Sequence, residues 1–70
     1  MNGFKAARLR AKMTQIEASA ALNVSQPTLC NWETGKYAPR LSMVPTIAQT
    51  YGCEISDLFK DDDREDRQGA

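Results

Sequence analysis

The sequence predicts an all-α fold: five short helices in one compact domain. Three observations predict it. Apolar residues recur at steps of three and four, the period of one helix face, and no stretch alternates as a strand does. Helix-starting residues, Thr14 and Ser25, precede periodic segments, while Asn23, Gly35 and Gly52 follow them. Finally, 70 residues with 41% hydrophobic content suffice for one core and no more. A core that small needs tight helix packing or association to be stable.

Phe4, Ala7, Arg8 and Ala11 mark one face of a first helix, which Asn2 can cap and which ends at Met13. Arg8 falls on the apolar side of that helix, where an unpaired guanidinium would be costly. The "TQIE" that follows is a capping box, with Thr14 as N-cap and Glu17 three residues on. It opens a second helix over residues 15–22, with Ile16, Ser19 and Leu22 along its inner side. Asn23 suits the left-handed conformation that ends a helix. Ser25 is then the N-cap of a third helix. Pro27 sits at its second position, where no intrahelical N–H bond is lost, so the Ser25 hydroxyl is expected to reach the N–H of Thr28. Leu29 and Trp32 point inward, and Gly35 stops the helix.

"KYAP" reads as a loop. Leu41, Val44, Ile47, Ala48 and Tyr51 then repeat as a fourth helix, with Pro45 placing its start near Ser42 and Gly52 ending it. Ile55, Leu58 and Phe59 form a short fifth helix. Residues 1–60 are the expected domain. Residues 61–70, "DDDREDRQGA", carry no apolar residue except the last alanine and are expected to be an acidic flexible tail.

The balanced net charge conceals an asymmetry. Residues 1–53 carry six basic side chains against two acidic ones, and residues 54–70 carry three against seven. A basic body suits a polyanion partner. The chain has no histidine, and Cys30 and Cys53 are far apart, so neither a zinc set nor an activated cysteine nucleophile is expected. No glycine-rich phosphate loop is present, and the acidic run lacks the glycine and spacing of a calcium loop. The expectations are therefore no catalytic residue, no metal and no cofactor. With no signal peptide or membrane span in the sequence, they are also reduced thiols, a cytoplasmic location and no membrane partner.

One stretch is unusual for a chain in which 26% of residues are charged. "ASAALNVSQPTLCNW", from Ala18 to Trp32, runs fifteen residues without a charge. Two short helices joined by a tight turn make a helix-turn-helix, and small residues at Ala18, Ser19, Ala20 and Ala21 permit close packing at the corner. On the third helix Gln26, Pro27, Thr28 and Asn31 face away from the anchors Leu29 and Trp32. Neutral, short groups of this kind can read base edges: Gln and Asn pair bidentately with adenine, and an apolar methylene touches the thymine methyl. Lysines there would grip phosphate without reading sequence. The charges lie at the rims instead, at Arg10, Lys12, Lys36 and Arg40.

The segment "TQIEASAALNVSQPTLCNWETGKYAP" resembles the lambda-repressor-like, Cro-type helix-turn-helix family, and the likeness extends from about Phe4 to Phe59. "TQ" opening the second helix, "VS" before the third, "WE" and a glycine closing it and a proline four residues later carry it, with "IAQTYGCEISDLF" matching the last two helices. Asn23 stands where the family usually has a turn glycine. The resemblance implies a third helix that enters the DNA major groove. By position it implies base contacts from Gln26, Pro27, Thr28 and Asn31. It implies phosphate contacts from Gln15 and from Lys36 and Tyr37 in the following loop; Ser25 and Arg40 are expected to join them. Arg8 and Glu33 match a partly buried ion pair.

The function expected is that of a sequence-specific transcriptional regulator, a repressor that binds a palindromic double-stranded operator as a homodimer. Ile55, Leu58 and Phe59 are the expected dimer face. With the domain as the whole protein and no sensor attached, switching would come from concentration, proteolysis or a partner, as in a phage repressor, a restriction controller or an antitoxin. The alternative is a protein-interaction module that does not read DNA and whose acidic tail binds a basic partner. Steep salt dependence of DNA binding separates the two.

Overall fold

The computed structural model describes residues 3–60. Asn2, expected to cap the first helix, and the acidic segment 61–70 lie outside the described residues. The helices are α1 (Phe4–Arg10), α2 (Gln15–Leu22), α3 (Gln26–Thr34), α4 (Val44–Tyr51) and α5 (Ile55–Leu58), with a 3-10 turn, Leu41–Met43, leading into α4. There is no strand among the described residues.

Helix α1 stops short of Met13. Lys12 takes the left-handed conformation at φ 61°, which no helix can continue through, and the Met13 N–H turns back to the Arg8 carbonyl at 3.2 Å. At the other end, the Gly3 N–H donates to the Leu58 carbonyl at 3.0 Å. A Cβ at Gly3 would lie 2.0 Å from the Asp57 carbonyl oxygen, so only glycine lets α1 and α5 approach this closely.

The capping box of α2 is complete: the Glu17 N–H donates to Thr14 Oγ1 at 3.0 Å and the Thr14 N–H to Glu17 Oε1 at 2.8 Å. Its inner side is Ala18, Ser19 and Leu22. Ile16 was expected there and is instead 67% exposed. The corner admits a methyl group, and Ala18, with no exposed surface, fills it. Asn23 ends α2 at φ 59°. Ser25 caps α3 through the Thr28 N–H at 3.2 Å, with Pro27 in the first turn.

The fourth apolar repeat begins one turn later than the sequence suggested. Leu41 is 86% exposed, and the buried face of α4 is Val44, Ile47, Ala48 and Tyr51. Pro45 in the first turn of α4 explains the 3-10 lead-in, since it can donate no N–H there. These residues join Phe4, Ala7, Leu22, Leu29, Trp32 and Leu58 in one core. Leu58 is therefore removed from the expected dimer face: it has no exposed surface, because α5 turns it inward against α1 and α4. Ile55 and Phe59 remain 46% and 41% exposed, Phe59 with its ring edge-on to Phe4 at 5.9 Å.

Candidate nucleic-acid interface

The first residues of α2 and α3 meet. Gln26 Nε2 donates to Gln15 Oε1 at 3.3 Å across eleven residues of sequence. Beside this pair lies a shallow groove of about 230 Å³ lined by Gln15, Gln26, Pro27 and Cys30. Gln26 and Pro27 are exposed, while Gln15, Cys30 and Asn31 are half-buried. The outer face of α3 is thus a strip of amides with an apolar patch between them, and it carries no charge.

Thr28 turns toward the opposite side. Its hydroxyl lies 2.8 Å from Ser25 Oγ, and its side chain lines a larger cavity of about 400 Å³ with Trp32, Pro39, Arg40 and Met43. The Ser25 and Thr28 hydroxyls share one hydrogen bond, so one of the two keeps its O–H to donate to an outside acceptor. Asn31 has two uses. Its carbonyl accepts the Lys36 N–H at 3.0 Å and the Tyr37 N–H at 3.3 Å, which folds the loop back under the helix end. Its side-chain amide makes no hydrogen bond among the described residues. Gly35, at φ 82°, is what allows that reversal.

Beyond the reversal, Lys36 Nζ sits 5.8 Å from the centre of the exposed Tyr37 ring, and Arg40 is exposed at the start of the 3-10 turn. These cations flank the neutral strip without entering it.

Behind the strip is a buried charge pair. Arg8 Nε donates to Glu33 Oε2 at 2.6 Å and Nη2 to Glu33 Oε1 at 3.1 Å, with both side chains under a tenth exposed. Arg8 Nη1 is satisfied by the Met13 carbonyl at 2.8 Å. The hydrogen bonds to Glu33 hold the Arg8 guanidinium above its ordinary value despite burial. The pair ties α1 and the α1–α2 turn to the C-terminal end of α3. Gln15 Nε2 also donates to Glu33 Oε1, at 3.1 Å. That link spans eighteen residues, and no spacing rule in the sequence announces it. Nearby, burial and then the Glu33 charge push the Tyr51 hydroxyl up to about 12. Tyr51 Oη is buried without a hydrogen-bond partner among the described residues.

Cys30 and Cys53 are both free thiols. Among the described residues, no group of three or more His, Cys, Asp or Glu could hold a metal ion, and no helix is long and apolar enough to cross a membrane.

The helix-turn-helix family profile matches residues 4–58. The chain belongs to the lambda-repressor-like helix-turn-helix family, a family of DNA-binding transcription regulators. It is 36% identical over 64 residues to an uncharacterised HTH-type transcriptional regulator of Methanocaldococcus jannaschii, covering 91% of this chain and 97% of that one. It is 38% identical over 58 residues to an HTH-type transcriptional regulator of Archaeoglobus fulgidus, covering 83% of each. A second regulator of that organism is 34% identical over 62 residues, covering 89% of this chain and 87% of that one.

Proposed function

We propose that this chain is a sequence-specific repressor that lays α3 in the major groove of a two-fold symmetric operator. One observation carries this reading: the exposed face of α3 is an uncharged run of amides around Pro27, with cations confined to its edges. Gln26, Pro27 and Asn31 would meet base edges, with Thr28 at the boundary between base and backbone. Gln15, Ser25, Lys36, Tyr37 and Arg40 would meet phosphates and set the register. Its role would be binding in the cytoplasm, not catalysis. Ile55 and the exposed edge of Phe59 offer an apolar patch at which two copies would pair, placing their α3 helices one DNA turn apart, about 34 Å. The acidic run of residues 61–70 would offer its negative charge to a protein partner.

Selection of binders from random duplex DNA tests this directly. The expected result is a single enriched site with two inverted half-sites about 10 bp apart, bound less tightly as salt rises. Recovery of duplexes without a common sequence would overturn the reading.

A further inference from the structure

The hydrogen bonds leading out of the core fix an orientation as well as a position. Glu33 accepts from Arg8 through both carboxylate oxygens, and its Oε1 also accepts from Gln15 Nε2 at 3.1 Å. A carboxylate gripped by a guanidinium is ionised and can only accept. Gln15 must therefore turn its NH₂ group inward and its carbonyl outward. The outward carbonyl in turn accepts from Gln26 Nε2 at 3.3 Å. One of the two Gln26 N–H groups is then used within the protein. Gln26 is left with one N–H donor and its carbonyl acceptor facing out.

That remaining pair of groups has one full complement among the major-groove base edges. Adenine shows an acceptor, N7, beside a donor, N6–H₂. Guanine shows two adjacent acceptors and would need both Gln26 N–H groups. We propose that Glu33 is a specificity-determining positioning residue. Acting through Gln15, it holds Gln26 in the amide orientation that pairs with adenine and excludes bidentate pairing with guanine. This rests on the reading of α3 as the base-reading helix.

The conservative variant Glu33→Gln can present either its carbonyl or its NH₂ to Gln15. The relay then loses its fixed direction. Gln15 can reverse and accept from residue 33, offering its NH₂ to the Gln26 carbonyl and freeing both Gln26 N–H groups for guanine.

The experiment uses the full chain and the selected operator, with A·T or G·C placed at the base pair whose preference disappears in Gln26→Ala. The parent is expected to favour A·T by about tenfold or more. Glu33→Gln should reduce that ratio to about twofold, chiefly by gaining affinity for the G·C duplex relative to the A·T one. If Glu33→Gln does not fold, as judged by circular dichroism, Gln15→Met decides. It keeps the Arg8–Glu33 pair and removes the relay, so it should lower the same ratio while weakening both duplexes through any lost phosphate contact. A merely structural role for Glu33 would shift stability and overall affinity but leave the ratio alone. A parental ratio in folded Glu33→Gln, or in Gln15→Met where the first variant is unfolded, overturns the proposal while base reading by Gln26 stands. If Gln26→Ala changes no preference at any position, the base-reading role of Gln26 fails and the proposal fails with it.

Discussion

Helices α3 and α4 are nearly equal in length, nine and eight residues, yet they are held by different physics. Helix α4 is held by burial. Val44, Ile47, Ala48 and Tyr51 are all in the core, no side chain caps its start, and the one buried hydroxyl it brings inside has no partner among the described residues. Helix α3 buries only two apolar side chains, Leu29 and Trp32. Directional contacts do the remaining work: the Ser25 cap at one end, Gly35 and the Asn31 carbonyl at the other, and the Glu33 bonds to Arg8 and Gln15. The difference teaches how a small domain frees a surface for use. Apolar burial would have consumed the faces of α3, whereas caps and a charge pair fix its position and leave its outer face polar.

The largest expected effects test these two modes against each other. Glu33→Ala strands a buried guanidinium and should cost about 3–5 kcal/mol in urea unfolding. Replacing Arg8 and Glu33 together by Met and Leu should cost far less, because no charge is left buried. A double variant as unstable as Glu33→Ala would show that the loss is one of packing. On the other side, Ile47→Ala removes a side chain that is 1% exposed and should cost about 3 kcal/mol. A loss under about 1 kcal/mol there would mean that α4 is not held by burial.

Smaller effects sharpen the contrast. Ser25→Ala should cost about 1 kcal/mol through the lost cap of α3. Thr46→Ala, on the exposed side of α4, should stay within about 0.5 kcal/mol of the parent. Equal losses at the two sites would erase the distinction. The smallest change at neutral pH is expected for Tyr51→Phe, which removes only the unpartnered hydroxyl, so the melting temperature should hold or rise. Its signature is alkaline. The folded Tyr51 value is raised from 10.0 to about 12, so the unfolded chain loses that proton first, and the parent should lose stability as pH climbs through that window. Tyr51→Phe should lose less over the same window, and parallel melting curves for the two proteins would contradict the burial of that hydroxyl.

Much of this was legible in the sequence, and the reasons are local. Thr14 with Glu17, Ser25 with Thr28, and the turn residues Asn23, Gly35 and Gly52 act over three or four residues, where side chain and backbone meet by geometry alone. Arg8 announced a partner because a cation lay on an apolar face. What was not legible depended on how elements are set together. Ile16 is the larger apolar residue, yet Ala18 is the one inside, since the closeness of α2 and α3 selects for small volume. Leu58 and Ile55 differ in burial through the roll of a four-residue helix, which periodicity cannot set over so short a span. The Glu33–Gln15–Gln26 relay runs between the two ends of α3 by way of α2 and has no sequence signal at all.

Base reading by the neutral face of α3 can be tested in one titration. The parent, Gln26→Ala and Lys36→Ala are each titrated against the selected duplex and a scrambled duplex at several salt concentrations. Gln26→Ala is expected to lower the selected-to-scrambled affinity ratio by the equivalent of about 1–3 kcal/mol, while Lys36→Ala weakens both duplexes alike and reduces the salt slope by about one. A Gln26→Ala protein that keeps the parental ratio would contradict it.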